Sequence, residues 1–349
     1  MTLGPLMIGV QGLALTDIER EMLANPRVGG VILFTRNYES PEQLSQLVAE
    51  VHALRDPPLL VAVDHEGGRV QRFRRSFSEL PPVRRLGEIH DQQPRVAREL
   101  AEQSGWLMAV ELRSVGIDFS FAPVLDMDRG ISRVIGNRGF HRDPEVIATL
   151  AHDYMRGMHR AGMAATGKHF PGHGGVVEDS HVALPVDRRP LADIELEDLV
   201  PFERLIKAGI EALMIAHVIY ERIDPQLAGF SPFWLQQILR TRLGFQGVIF
   251  SDDLEMAGAA VAGGVADRVQ AALAAGCDMA LVCQTQPAMI AALDGLPTSF
   301  VHAPASQLRL VRMRGRLPLT RGQLHADPQW QETCRRVEGY NAPGTGQLV

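Results

Sequence analysis

Short, uninterrupted apolar runs recur along the chain at residues 6–10, 30–34, 59–63, 117–122, 163–167, 212–216, 248–250 and 279–282. A strand with one wet face alternates apolar and polar side chains. A continuous apolar run of this length instead predicts a strand buried on both faces, as in a parallel sheet covered by helices. Between the runs, apolar positions return every three to four residues, the period of an amphipathic helix. Thr16 can cap a helix over 17–24, and Ser40-Pro41 opens one over 42–54, with proline where its missing N–H costs nothing. Long amphipathic helices are predicted over 95–115 and 144–161. The helix predicted over 193–208 begins with acids, as the helix dipole favours. Ser231-Pro232 starts a helix over 233–243, and one over 265–275 stops at Gly276, a residue suited to the left-handed position after a helix.

Eight buried strands interleaved with helices, with no break in composition, predict an α/β fold of the (β/α)8 TIM-type barrel. The expectation is a single catalytic domain over 1–349. Its core lies at about 6–295, a helical segment follows over 296–340, and the tail 341–349 is expected to fray. Helical pieces are predicted at 288–293, 304–313 and 328–337. A doubly wound open sheet is the rival; no Gly-x-Gly-x-x-Gly follows the first strand, which weakens its dinucleotide-binding form.

Composition narrows the class. The chain is 46% apolar and 22% charged, which suits a folded soluble protein with an ample core. A net charge of −6 disfavours nonspecific nucleic-acid binding. Arg69, Arg72, Arg74 and Arg75 form a local basic patch, suited to an anionic small ligand or to plain solvation. Cys277, Cys283 and Cys334 match no zinc spacing and read as free thiols, which fits a reducing cytoplasm. Residues 1–15 lack a basic start and are interrupted by glycines, so neither a signal peptide nor a membrane span is expected there. No other stretch approaches the ~20 apolar residues of a span.

In a barrel of this kind the site lies at the C-terminal ends of the strands. The third run leads into Asp64-His65-Glu66-Gly67-Gly68-Arg69, the fourth to Asp126 and Asp128, and the fifth to Lys168-His169. The sixth leads to His217 and the seventh to Asp252-Asp253. The N-terminal ends show nothing comparable. Buried charge is costly unless paired or used, so this asymmetry predicts an enzyme. Many hydroxyl-binding side chains with few metal-ligand pairs suggest a sugar site. Glycosidic cleavage needs a carboxylate beneath the anomeric carbon and a proton donor at the leaving oxygen. Asp252 suits the first task. The doublet leaves the choice between Asp252 and Asp253 open, with Asp253 the better candidate to cap the helix that follows. Asp179 and His181, two residues apart, can share one side of an extended segment, with the acid orienting the imidazole. His173 is either loop architecture or a sugar contact. Gly172, Gly174 and Gly175 predict that the loop 172–180 moves. Two other readings stay open: a metal-dependent barrel hydrolase using His169, His173, His181 and Asp252 as ligands, and a sugar-binding barrel without catalysis.

Four segments resemble, in order, the signatures of a known family: Asp64-His65-Glu66-Gly67-Gly68-Arg69-Val70-Gln71-Arg72; Arg133-Val134-Ile135-Gly136-Asn137-Arg138-Gly139-Phe140; Lys168-His169-Phe170-Pro171-Gly172-His173-Gly174 with Asp179-Ser180-His181; and Ser251-Asp252-Asp253-Leu254-Glu255-Met256. The resemblance is to bacterial β-N-acetylglucosaminidases (β-hexosaminidases) of glycoside hydrolase family 3, of the cytoplasmic peptidoglycan-recycling type, and runs from about residue 6 to 282. It implies removal of terminal β-linked N-acetylglucosamine from 1,6-anhydro-N-acetylmuramic acid and its peptide derivatives, with retention. It further implies Asp252 as nucleophile, His181 as general acid/base and Asp179 as its partner. Asp64, Arg72, Arg138, Lys168 and His169 are implied to bind the sugar. It implies no metal or other cofactor, a small disaccharide or muropeptide substrate, no nucleic acid, no membrane insertion and a monomer. A β-glucosidase of the same family is the alternative specificity.

Overall fold

The computed structural model describes residues 2–178, 184–297, 300 and 302–341. Eight parallel strands form its centre: β1 (Leu6–Gly9), β2 (Val28–Leu33), β3 (Leu60–Val63), β4 (Phe119–Ser120), β5 (Thr166–Phe170), β6 (Ala212–Ile215), β7 (Val248–Asp253) and β8 (Met279–Val282). Each strand neighbours its sequence successor, and β1 also pairs with β8. Between β4 and β5 the ring is completed beyond the short β4 ladder. The amides of Thr166 and Lys168 donate to the carbonyls of Ala122 and Pro123, and Leu125 N–H donates to the Lys168 carbonyl. This is the predicted barrel. Its interior is filled by side chains, among them Phe121, which packs edge-on to both Phe119 and Phe250, with the three ring centres 5.2–5.6 Å apart.

The predicted helices form around it. Thr16 caps Asp17–Ala24 through a reciprocal capping box with Glu19, and Ser40 caps Pro41–Ala53. The long helices occupy Pro94–Arg113 and Pro144–Arg160, and Val265–Ala275 ends on Gly276 at φ 124°. The helix predicted over 193–208 extends from Leu191 to Lys207 and contains a π turn at Ile194–Asp198, which aims the buried Asp198 at Arg129 and Arg189. The sequence gives no sign of the short helix Arg84–His90 or of the hairpin His65–Gly67/Val70–Gln71 after β3, each too brief to show a period. The C-terminal segment carries Pro304–Val311, Arg321–His325 and Pro328–Asn341; the tail 342–349 lies outside the described residues.

Two strand boundaries matter for function. The fifth strand was expected at 163–167 but runs Thr166–Phe170, so Lys168 and His169 lie within it. Met163 is instead tied to the preceding helix, donating to the Met158 carbonyl. The seventh continues to Asp253 rather than stopping at Phe250. Its pairing with β8 shifts between Phe250 and Asp253, and the Ser251 hydroxyl takes the Leu281 amide in place of a ladder carbonyl, at 2.9 Å. β5 has a comparable shift against β6 between Lys168 and Phe170. Irregularities of this kind re-aim side chains at barrel rims.

The expectation that the N-terminal strand ends show nothing comparable is incorrect. Asp118, Glu211 and Asp278 precede β4, β6 and β8. Each accepts a backbone amide near the start of the neighbouring strand, from Val61, Ala165 and Ile249 respectively. Asp118 also holds Arg314 and Gly315, and Asp278 holds Arg240, Ser306 and Arg309. Most of these partners come from the C-terminal segment, far away in sequence, so no local pattern reveals them.

Candidate active site

The C-terminal ends of the strands enclose a cavity of about 210 Å3. Asp64, Arg72, Arg138, Lys168, His169 and Asp252 all line it, brought together from four separate stretches of chain. Asp179 and His181 lie outside the described residues, as does the end of the loop in which motion was expected.

Five of the lining groups form a chain of alternating charge. Arg72 stands 3.5 Å from Asp64, whose other oxygen meets Lys168 Nζ at 2.7 Å. The same ammonium lies 2.7 Å from Glu66, and Arg138 forks onto Glu66 with two bonds of 2.8 Å. Lys168 is 2% exposed, so its charge is tolerable only with such partners. Burial opposes ionisation of Glu66, but Arg138 and Lys168 overcome it and hold the carboxyl below its usual range. Asp64 is likewise held down: Lys168 and Arg72 outweigh its desolvation. Glu66 was missed as a site residue, although it follows Asp64 by two in an extended segment, the spacing that puts two side chains on one face.

Asp252 Oδ1 accepts the Asp253 amide at 2.8 Å. Burial raises its pKa, yet the imidazoles of His169 and His217, that amide and Lys168 bring it below the ordinary carboxylate value. Asp253 is different. Its two oxygens accept from the Glu255 amide (3.1 Å) and Gln284 Nε2 (2.9 Å). Burial, with the nearby charges of Glu255 and Asp252, pushes it up to about 6 despite those bonds. The doublet is thus split into an ionised member and a member engaged in the local turn. His217 is fully buried beneath the pair and bonds the Asp253 carbonyl through Nε2 at 3.0 Å.

Beside Asp252, His169 gives Nδ1 to Asp126 at 2.6 Å. The Lys168–His169 peptide is cis, and both side chains line the cavity. His173 packs edge-on to His169, and its amide also reaches Asp126. Asp128 serves the Gly130 turn and faces Arg84. The glycines at the root of the loop are used for close packing. A Cβ on Gly174 would stand 1.9 Å from the Met127 carbonyl oxygen, and one on Gly175 would strike Arg189. Tyr220 bonds the Gly172 carbonyl.

The N-terminal domain profile of glycosyl hydrolase family 3 matches residues 6–312. A β-hexosaminidase of Thioalkalivibrio sulfidiphilus is 59% identical over 332 residues, 95% of each chain. One of Nitrosospira multiformis is 54% identical, covering 97% of each. Among solved structures, NagZ from Neisseria gonorrhoeae in complex with N-trifluoroacetyl-D-glucosamine superposes with a TM-score of 0.91 at 43% identity, covering 98% of this chain and 99% of that one. With matching order of motifs, matching barrel and near-complete coverage, the chain belongs to glycoside hydrolase family 3 and is a glycoside hydrolase of the β-hexosaminidase type.

Proposed function

We propose that the protein releases terminal β-linked N-acetylglucosamine from N-acetylglucosaminyl-1,6-anhydro-N-acetylmuramic acid and its peptide derivatives, as a cytoplasmic, monomeric enzyme of cell-wall recycling. The observation that carries the reaction is Asp252: an ionised carboxylate at a strand end, one oxygen pinned by an amide, facing a small polar cavity. In the first step its free oxygen bonds the anomeric carbon as the glycosidic bond breaks, and His181 protonates the leaving oxygen. In the second step, water gives its proton to His181 and its oxygen displaces Asp252, restoring the β configuration. Asp179 orients His181 and stabilises its cation. Asp64, Arg72, Arg138, Lys168 and His169 bind the sugar, with Glu66 holding Lys168 and Arg138 and Asp126 holding His169. The cavity is smaller than the ~300 Å3 lower bound for drug-sized sites, which suits capture of one terminal sugar. The similarity to a protein crystallised with N-trifluoroacetyl-D-glucosamine supports the N-acetyl sugar. Among the described residues no helix is long and apolar enough to cross a membrane.

The test is release of nitrophenol from 4-nitrophenyl N-acetyl-β-glucosaminide, beside the β-glucoside and in EDTA. Wild type turns over the N-acetyl substrate and resists EDTA, while Asp252→Ala lowers kcat by ~10^4-fold or more. A slow fluorinated substrate then labels Asp252 in the wild type. A label on Asp253, or an active Asp252→Ala, moves the nucleophile; loss of activity in EDTA restores the metal-dependent reading. Release from purified N-acetylglucosaminyl-1,6-anhydro-N-acetylmuramic acid, with and without peptide, tests the natural substrate.

A further inference from the structure

Asp126 lies on the chain leaving β4, is 1% exposed, and directs both oxygens at the β5 rim. Oδ2 accepts His169 Nδ1–H at 2.6 Å and the His169 amide at 3.1 Å; Oδ1 accepts the His173 amide at 2.6 Å. A carboxylate has about four lone-pair sites and no proton to give, so three of its sites are filled by donors from one short stretch of chain. Burial would raise the pKa of Asp126, but the interactions with His169 and His173 outweigh it and keep the carboxyl low. An acceptor-only group against Nδ1 settles the protonation of the ring: Nδ1 carries a hydrogen. Nε2 is then the nitrogen left for the cavity, which His169 lines together with Asp252 and Lys168.

We propose that Asp126 is a positioning residue for sugar binding: it holds His169 in the Nδ1–H tautomer, so that Nε2 meets a substrate hydroxyl. The contact at Nε2 is a hydrogen bond with that hydroxyl, with no covalent change. Asp126 acts through His169 and touches no reacting atom itself. The same carboxylate ties His169 to His173, so the tautomer and the path of the chain into the glycine loop are fixed by one group. This inference rests on the assignment of His169 to the sugar.

The experiment is a double-mutant cycle in kcat/KM on the nitrophenyl substrate with Asp126→Asn, His169→Asn and the pair. Losing a charge-assisted hydrogen bond predicts a fall of about 10- to 100-fold for Asp126→Asn, carried mainly by KM. Added to His169→Asn, it has no further effect. An equal loss in both backgrounds overturns the proposal, because Asp126 would then act through the fold. A His169→Asn enzyme with wild-type kinetics removes instead the sugar-binding assignment. Should Asp126→Asn fail to fold, the wild type decides: 15N spectra of histidine-labelled enzyme, with His169 assigned from His169→Asn, must show a protonated Nδ1. A ring protonated only on Nε2 overturns the proposal.

Discussion

At the scale of single residues, the site works by giving chemically similar groups different surroundings. Asp252 and Asp253 are adjacent, yet one is held ionised by imidazoles, an amide and an ammonium, while the other is buried against two further acids. The consequence for stability has a definite sign. A carboxyl whose folded pKa is raised to about 6 from an ordinary value near 4 costs nothing at low pH. The folded state loses stability as pH climbs through that interval, and the full cost is present above it. Asp253→Asn therefore stabilises the protein relative to wild type at pH 8, by up to about 2–3 kcal/mol, and by much less at pH 4. Paired urea melts at the two pH values measure this; an equal effect at both would mean that Asp253 does not titrate in the folded state over this range.

At the scale of elements, the strands that carry Lys168, His169 and Asp252 both have irregular pairing at the cavity rim. β7 replaces a ladder carbonyl with the Ser251 hydroxyl, and β5 shifts between Lys168 and Phe170. A regular strand would send alternate residues to opposite faces, whereas Lys168 and His169 both line the cavity. The loop leaving β5 is anchored at its root by contacts that tolerate no side chain. Gly174→Ala forces a Cβ against the Met127 carbonyl, and a backbone contact of this kind costs about 1–3 kcal/mol because no flexible side-chain end can yield. Chemical denaturation and kcat are the readouts. Because residues 179–181 follow shortly after, kcat falls as well; unchanged stability would show that the Met127 carbonyl moves aside freely.

At the scale of the whole molecule, the barrel has a chemical end and a structural end, and both hold buried acids. At the structural end Asp118 and Asp278 have their oxygens occupied by amides, arginines, His52 and the Ser306 hydroxyl, while Glu211 takes the Ala165 amide and His159. Asp118 joins the start of β3, the turn at Gly315 and Arg314, and so fastens the C-terminal segment across the barrel floor. Burial opposes its charge, but His52, Arg314 and the Gly315 amide more than compensate. A carboxyl held below its usual pKa adds stability above that value and gives it up as pH falls through the folded pKa. Asp118→Ala leaves buried donors unpaired and costs about 3–5 kcal/mol at pH 7. A urea midpoint like that of the wild type would show that the segment is held by its apolar contacts alone.

The strand count, the barrel, the capped helices and the cluster of polar residues at strand ends were legible in the sequence, because each rests on local chemistry: a continuous apolar run, a 3.6-residue period, a capping side chain, a polar residue next to a buried strand. The six side chains around the cavity could be named from motifs, although composition and spacing alone left Asp252 and Asp253 undivided. What the tertiary structure decided is what depends on partners distant in the chain. Glu66 needs Arg138, Asp126 needs His169, and Asp118 needs Arg314 before a role can be read. The same holds for the three-residue displacement of β5, since strand limits follow the neighbour's hydrogen bonds rather than the run of apolar residues. Sequence shows which groups are costly to bury; only the folded chain shows which of them have their charge matched and which still face the cavity.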